Sequence, residues 1–227
     1  MYEQFGTTFE DDLGNRIEIG GELTEQALAN LKRVVVSQWT GRGNHLVLTS
    51  LDFHMSDVMR VYMTYGSYVE VGKLLLMADM RIYAGDRAHV VIGDDGMFAS
   101  DVEVLASNVH TVFDLDGTPN KDKKTEIGPH VWLGKGSRII AGSTIGRGSV
   151  IGGFSVVAGR IPNNCVAAGN PCRVVKRNIF WGRRRARPVA NYHELPTDFQ
   201  DVPAEYIGAT IDDSQPQRRR WGRGFRR

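Results

Sequence analysis

A period of six residues runs through the chain from Ile127 onward, and it restricts the possible folds more strongly than any other feature. Six consecutive units follow one another without a gap: IGPHVW, LGKGSR, IIAGST, IGRGSV, IGGFSV and VAGRIP. An aliphatic residue opens every unit, namely Ile127, Leu133, Ile139, Ile145, Ile151 and Val157. This period fits neither a lone amphipathic helix nor an ordinary hairpin, but it suits short strands separated by turns. We therefore predict a prism-shaped solenoid whose interior is filled by the opening residues.

Small residues recur at two other positions of the unit. The second position is Gly or Ala except at Ile140, and the fifth is Val131 followed by Ser137, Ser143, Ser149 and Ser155. The alternative is a Gly-rich β-sandwich whose spacing arose by chance. Meanders do not hold a constant spacing over several units, so the solenoid is favoured.

The same register occurs upstream, where units begin at Ile92, Phe98 and Val104, and it lapses at His110. The stretch that follows, about 111–126, is polar and contains GTPNKDKK, which is turn chemistry unsuited to a buried coil. We predict that this stretch is a loop ejected from the solenoid. Loops of this length are uncommon in compact domains and are often functional.

The segments flanking the repeats divide the chain into three parts. We predict an N-terminal cap with a short helix over 1–45, a β-helix domain over 46–177 and an extended Arg-rich tail over 178–227. Thr24 is expected to cap a helix that continues to Gln38. The helical period assigns Leu28, Leu31 and Val35 to the buried face of this helix.

Arginine dominates the end of the chain, with clusters at 183–187 and 218–220 and aromatic residues between them. This composition is typical of nucleic-acid-binding segments. A solvated tail that can contact an anionic surface is favoured instead, and no nucleic-acid partner is expected. We predict that the tail packs near Phe180 and Trp181 and is disordered toward Arg227.

Composition limits the class of protein. The chain has 227 residues, of which 41% are hydrophobic, so it can bury a full core, and disorder throughout is excluded. A net charge of +2 argues against a nucleic-acid or membrane binder as a whole. Only Cys165 and Cys172 are present, and no leader or apolar stretch of spanning length is recognisable. The expected location is the reducing cytoplasm.

The stretch from about 92 to 177 resembles the hexapeptide-repeat acyltransferases, especially the galactoside, maltose and capsular-polysaccharide O-acetyltransferases. The resemblance rests on IGPHVWLGKGSRIIAGSTIG, on IGGFSVVAGRIPNNCVAAGNPCRVVK and on a histidine, His110, just before the loop. It implies an all-β fold, a left-handed parallel β-helix. It also implies a homotrimer with active sites between subunits and acetyl-coenzyme A as the acyl donor, with no metal expected.

His110 is the predicted general base. Acetyl transfer from a thioester to a hydroxyl requires a base that removes the hydroxyl proton, and an imidazole suits this task near neutral pH. The family pattern also has its base at this position. The alternative is a histidine that satisfies backbone groups at the end of a coil. His130, which occupies a turn position in its unit, is expected to face solvent.

The donor site is assigned by resemblance. Trp132 matches a residue that lines the cofactor or acceptor channel, although packing against a neighbouring coil or subunit is an equal alternative. The backbone amides of Lys135 and Gly153 match positions that bind the pantetheine arm. Arg173 and Lys176 match the phosphate contacts, and their spacing is expected to put both on one side of a terminal turn.

Two other functions are open at this point. His89, His110 and His130 are spaced by about one coil, which allows a zinc enzyme of the γ-carbonic anhydrase type. The close histidine pair of that family is absent, however. A non-catalytic solenoid that scaffolds partners is the third reading. For the transferase, the sequence favours an acceptor that is a sugar or a cell-surface glycan precursor.

Overall fold

The computed structural model describes residues 5–51, 54–55, 58–76, 78–107, 110–119, 124–183 and 202–211. The strands of the first half are β1 (Phe5–Glu10), β2 (Arg16–Gly20), β3 (Val34–Thr40), β4 (His45–Leu48), β5 (His54–Met55), β6 (Met59–Thr64), β7 (Tyr68–Val71), β8 (Leu74–Leu76), β9 (Met80–Ala84), β10 (His89–Ile92), β11 (Gly96–Phe98) and β12 (Val102–Leu105). Those of the second half are β13 (Thr125–Ile127), β14 (Trp132–Leu133), β15 (Arg138–Ile140), β16 (Thr144–Ile145), β17 (Val150–Ile151), β18 (Val156–Val157), β19 (Arg160–Ile161), β20 (Val166–Ala168) and β21 (Arg173–Lys176). Within these described ranges the helices are α1 (Glu25–Leu31) and a 3-10 helix, Ala204–Tyr206.

The strands form three sheets that enclose one interior. Sheet I has the order β1-β2-β4-β7-β10-β13-β16-β19, sheet II the order β21-β20-β17-β14-β11-β8-β5, and sheet III the order β18-β15-β12-β9-β6-β3. The pairs β1–β2 and β20–β21, at the ends of the solenoid, are antiparallel. The pairs between successive coils are parallel. The chain therefore winds from sheet I to sheet II to sheet III and back, as a parallel β-helix.

The six-residue period sets this geometry. Ile127 pairs with Ile145, and Leu133 pairs with Ile151, so one turn of the helix takes three hexapeptide units. All six opening residues are no more than 1% exposed, which confirms that they fill the interior. The residues at the fifth positions are also buried, and the Ser143 hydroxyl donates to the carbonyl of Val157 in the next coil at 2.9 Å.

The first coil differs from its prediction. The Thr24 hydroxyl accepts from the Ala27 amide at 3.1 Å, which confirms the cap, but α1 ends at Leu31 rather than at Gln38. The assigned face was only partly right, because Leu31 packs against the core as expected but Leu28 and Val35 do not. The buried residues of α1 are Ala27 and Asn30, whereas Leu28 is 44% exposed and Val35 39% exposed. The run of valines 34–36 takes the extended conformation that β-branched side chains favour, so the helical period stops there.

Parallel pairing begins within the residues assigned to the cap. Strand β2 pairs with β4 in sheet I, and β3 pairs with β6 in sheet III. In chain order α1 lies between them, where later coils have a strand of sheet II. The helix thus stands in for that strand in the first turn of the solenoid.

Three rows of turns connect the sheets, and they position the functional residues. The I–II corner contains 93–95, 128–130, 146–148 and 162–164, and the II–III corner contains 99–101, 134–136 and 152–154. The III–I corner contains 141–143, 158–159 and the long connection between β12 and β13. In that connection, residues 110–119 are exposed, and the Asp114 amide donates to the Thr118 carbonyl at 2.9 Å. Strand β13 begins at Thr125, inside the range predicted for the loop.

After β21 the chain packs against the I–II corner. Trp181 is 7% exposed, so the predicted packing of the tail near this residue is confirmed. We call residues 178–183 and 203–211 the strap. The arginine cluster at 218–220 and most of the cluster at 183–187 lie outside the described residues. Within the described ranges, no helix has both the length and the apolar character needed to cross a membrane.

Candidate active site

His110 lies at the III–I corner. It follows β12 of sheet III and precedes β13 of sheet I, and its side chain is exposed. An exposed imidazole at this position is accessible to a ligand or to another subunit. Next to it the loop carries three exposed apolar residues, Val112, Phe113 and Leu115.

Trp132, Lys135 and Gly153 lie on a different part of the prism. Trp132 is in β14 on the outer face of sheet II and is 37% exposed, while the next residue, Leu133, points into the core. Lys135 and Gly153 lie at the II–III corner in adjacent coils, where the Phe154 amide donates to the Lys135 carbonyl at 2.7 Å. A Cβ atom on Gly153 would lie 3.1 Å from that carbonyl oxygen, so glycine keeps this corner narrow.

The amide groups of this corner are candidate donors to a ligand. In the part of the chain that the structure describes, the Lys135 and Gly153 NH groups donate to no protein acceptor. Both residues are exposed. Backbone NH groups in such a row can bind the carbonyl oxygens of an extended ligand.

Arg173 and Lys176 lie in strand β21 rather than in a turn. Residues three apart in a regular strand point to opposite faces, but a bulge in the β20–β21 pair changes this. Arg173 pairs with Ala168, and Lys176 pairs with Val166. These partners flank the buried Ala167, so Arg173 and Lys176 share the outer face of sheet II.

The predicted donor-site residues therefore lie on the outer face of sheet II and at the II–III corner beside it. Trp132, Val150, Val166 and Lys176 are successive register partners across sheet II. Three strand spacings separate Trp132 from Lys176, which corresponds to roughly 14 Å. His110, in contrast, is at the III–I corner, so sheet III lies between it and the II–III corner of the same chain. A single chain does not bring the predicted base and the predicted donor contacts together.

The prediction for His130 was wrong. Its side chain is 2% exposed, not solvated, and Nδ1 lies 2.6 Å from Oδ2 of Asp95. Nε2 lies 3.1 Å from the carbonyl oxygen of Trp181, which can only accept, so Nε2 carries a hydrogen. The rings of Trp181 and Tyr206 stack on the imidazole at centroid distances of 4.2 and 4.5 Å. The strap buries this histidine, and the local hexapeptide gave no sign of that contact.

Asp95 connects His130 to Arg183. Burial of the carboxyl group favours its protonated form, but hydrogen bonds from His130 and Arg183 outweigh this effect and hold the pKa of Asp95 below its ordinary value of 3.8. The guanidinium of Arg183 lies 2.7 Å from Oδ1 and 5.6 Å from the centre of the Trp181 ring. The sequence analysis did not predict this cluster. The one feature that could have indicated it was an aromatic residue, Trp181, in an otherwise polar tail.

The histidines proposed for a zinc site are not arranged as a ligand set. Both ring nitrogens of His130 are engaged by protein groups. His89 is the first residue of β10, so it lies where the strands of sheet I begin, whereas His130 lies in the turn where they end. Burial of the His89 imidazole and the nearby Lys124 charge lower its pKa below 6.5. Across the described ranges, no three His, Cys, Asp or Glu side chains form a group that could hold a metal ion.

The coil of three hexapeptide units is the fold of the hexapeptide-repeat proteins. A family model described as bacterial transferase hexapeptide (six repeats) matches residues 124–159. The polysialic acid O-acetyltransferase of Neisseria meningitidis is 30% identical over 164 residues, which cover 69% of this chain and 74% of that protein. This protein therefore belongs to the hexapeptide-repeat O-acetyltransferase family, and that membership implies a left-handed course of the coils.

Two further relatives support this assignment. The polysialic acid O-acetyltransferase of Escherichia coli O1:K1 is 42% identical over 122 residues, or 53% of this chain and 40% of that protein. The crystal structure of the polySia-specific acetyltransferase NeuO matches with a TM-score of 0.53 and 29% identity, over 69% of this chain and 76% of that chain. The chain spans about half the length of the first curated relatives it matches. It covers 40% of the E. coli O1:K1 protein and 57% of the galactoside O-acetyltransferase of E. coli K12.

Proposed function

We propose that this protein transfers an acetyl group from acetyl-coenzyme A to a hydroxyl group of a sugar or of a cell-surface polysaccharide precursor. The observation that carries the proposal is the separation of two half-sites on one chain. His110 is exposed at the III–I corner, while Trp132, Lys135 and Gly153 line sheet II and the II–III corner. Two copies that meet through these corners combine one half-site from each chain.

The donor half-site suits coenzyme A in shape and charge. The pantetheine arm, which is extended and carries amide groups, would lie along the II–III corner beside the NH groups of Lys135 and Gly153. Trp132 would contact the thioester end. Arg173 and Lys176 lie on the same face, with Lys176 roughly 14 Å from Trp132, and would hold the 3′-phosphate. Glycine at position 153 lets the arm approach the backbone closely.

His110 would act as the general base. As the acceptor hydroxyl oxygen bonds to the thioester carbonyl carbon, its proton passes to the imidazole. The tetrahedral intermediate then collapses, the carbon–sulfur bond breaks, and the imidazolium returns the proton to the departing sulfur, so that coenzyme A leaves as the thiol and the base is regenerated. Because a neighbouring chain supplies the donor half-site, we propose a homotrimer with three equivalent sites.

The acceptor is proposed from the relatives. Their names specify polysialic acid in two cases and a galactoside in another. These acceptors are hydroxyl-bearing sugars, alone or in polymers. We therefore propose a sugar acceptor, with a surface glycan ahead of a free sugar. A metal-dependent lyase receives no comparable support, because the His130 nitrogens are both engaged.

Complementation between two inactive variants tests this function. One variant is His110→Ala, and the other combines Trp132→Ala with Gly153→Val in the donor half-site. Co-expressed with different tags and purified through both, mixed trimers should recover about a third of the parent's activity, since each mixed trimer has one of its three sites formed by two unmutated half-sites. Release of free thiol from acetyl-coenzyme A would be followed with polysialic acid and a galactoside as acceptors.

The outcomes separate the alternatives. Mixed trimers no more active than the separate variants would contradict a site shared between chains. Absence of thiol release by the parent protein with every sugar acceptor would favour the scaffold reading. A matched control co-expresses His110→Ala with Val112→Ala. Both changes affect the same loop, and neither damages a donor half-site. The activity of this mixture should not exceed the activity that its Val112→Ala chains contribute alone.

A further inference from the structure

Trp132 has a neighbour that does not belong to the repeats. The ring of Trp181, in the strap, lies 5.8 Å from the ring of Trp132 at an interplanar angle of 47°. Within sheet II the register partners of Trp132 are Met97, whose side chain is flexible, and Val150, whose side chain is small compared with an indole. A half-exposed indole has few contacts that restrict its rotamer, so an aromatic neighbour on one side limits its movement.

Trp181 is itself held on all sides. Its indole NH donates to the His130 carbonyl at 3.1 Å, and its own carbonyl accepts from His130 Nε2 at 3.1 Å. Its ring stacks on the imidazole at an interplanar angle of 15°. The side chain is 7% exposed, in contrast to 37% for Trp132. Trp181 is therefore the rigid member of the tryptophan pair.

The support for Trp181 extends to a second level. Asp95 fixes the His130 ring through the 2.6 Å contact at Nδ1, and Tyr206 covers the opposite face of the imidazole with nearly parallel planes. Asn164 donates to the Ile179 carbonyl at 3.1 Å and so fixes the strap before it reaches Trp181. This arrangement links an exposed residue of sheet II to a buried cluster at the I–II corner.

We propose that Trp181 is a positioning residue for the donor site, acting by holding the Trp132 indole against the outer face of sheet II. The proposal rests on the function proposed above, in which Trp132 contacts the thioester end of acetyl-coenzyme A. Without Trp181, the Trp132 ring samples more rotamers, and part of the binding energy is then used to order it. The strap is accordingly a part of the transferase site and not only a cover for the I–II corner.

A double-mutant cycle tests the proposal on the full-length chain. Trp181→Ala should raise KM for acetyl-coenzyme A and Kd for coenzyme A by about 3- to 10-fold, the range expected for loss of one aromatic contact. The kcat should stay within about threefold, because the base is untouched. Trp181→Phe, which retains an aromatic ring, should restore most of the affinity. In a Trp132→Ala background, Trp181→Ala should change Kd by less than about twofold.

Each contrary result has its own meaning. If Trp132→Ala weakens coenzyme A binding and Trp181→Ala does not, Trp181 is only structural, and the proposed function is unaffected. If both weaken binding additively, the two rings act independently and the positioning role is rejected. If Trp132→Ala leaves coenzyme A binding unchanged, the assigned donor site itself is wrong.

A control variant covers loss of folding. Tyr206→Ala removes the ring on the face of His130 opposite to Trp181 and does not touch Trp132. It should lower the melting temperature, as Trp181→Ala does, with a smaller effect on Kd. An equal loss of coenzyme A affinity in Tyr206→Ala and Trp181→Ala, at equal melting temperatures, would show general loosening of the strap and would overturn the proposal.

Discussion

His130 and Asp95 form an imidazole–carboxylate pair at the I–II corner, with Nδ1 2.6 Å from Oδ2, although 35 positions separate the two residues in the chain. A pair of this kind often orients a catalytic histidine. Here the other nitrogen is hydrogen-bonded to the Trp181 carbonyl, and aromatic rings cover both faces of the imidazole. The pair therefore joins the solenoid to the strap, and the exposed His110 remains the candidate base.

The pair makes a prediction about stability and pH. Because hydrogen bonds lower the folded-state pKa of Asp95 below 3.8, the carboxylate stabilises the fold above that pH, and this contribution is lost as the pH falls through the lower folded value. Asp95→Asn should thus lower the melting temperature at neutral pH. The difference from the parent should shrink below a pH of about 4, as thermal unfolding followed by circular dichroism would reveal. A constant difference down to a pH of about 2 would contradict this explanation, and exposed Glu22→Gln serves as the control.

The opening residues of the repeat make a second prediction. Leu133 is fully buried, so Leu133→Ala should reduce the free energy of unfolding by about 2–5 kcal/mol, through lost burial and the cavity left behind. Leu28, on the exposed face of α1, is the matched control, and Leu28→Ala should change this free energy by less than about 0.5 kcal/mol. Urea denaturation of both variants provides the measurement. Similar losses in the two variants would mean that Leu28 is packed as first predicted from the helical period.

The sequence predicted features that depend on the local repeat, and it did not predict features that depend on contacts between residues far apart in the chain. The burial of Ile127 and its equivalents was predictable, because a fixed period implies the same environment in every coil. The burial of His130 was not, because it depends on contacts with Trp181 and Tyr206, which lie far along the chain and outside the repeat. The bulge that puts Arg173 and Lys176 on one face likewise depends on pairing with β20.

The cations of β21 provide a third prediction. Only coenzyme A carries the 3′-phosphate, whereas dephospho-coenzyme A retains the pyrophosphate. Changing Arg173 and Lys176 together to Ala should raise Kd for coenzyme A much more than Kd for dephospho-coenzyme A, because the lost charges are proposed to hold the 3′-phosphate. Calorimetric titration with the two ligands measures the difference. Equal losses would assign these side chains to another part of the ligand.

The division of the half-sites between two corners gives a fourth prediction, that the protein is a homotrimer. In a closed ring of three chains, the III–I corner of each copy would meet the II–III corner of the next. Light scattering at micromolar protein should give three times the mass of the chain. A monomer at every dilution would contradict the shared site, even if acetyl transfer were detected.

The last prediction concerns the base. His110→Ala should leave the melting temperature nearly unchanged, because the side chain is exposed and contributes little to the core. Coenzyme A affinity should also be retained, since the donor half-site lies at another corner. The rate of acetyl transfer should fall by roughly 10²- to 10⁴-fold, the usual effect of removing a positioned base. The rate constant of the parent enzyme at saturating substrates should rise with pH through one ionisation, and the variant should lack this rise.

Two controls make the result specific to the imidazole. Val112→Ala shortens an exposed side chain of the same loop and should keep the parent's rate and pH profile. His130→Ala removes a buried ring, so it should lower the melting temperature, and its remaining folded fraction should still show the rise with pH. The opposite result would be that His110→Ala turns over within a few-fold of the parent, while folded His130→Ala is inactive and its rate constant does not rise with pH. Nε2 of His130 would then have to leave the Trp181 carbonyl to reach a substrate, and the base would belong to the I–II corner rather than to the loop.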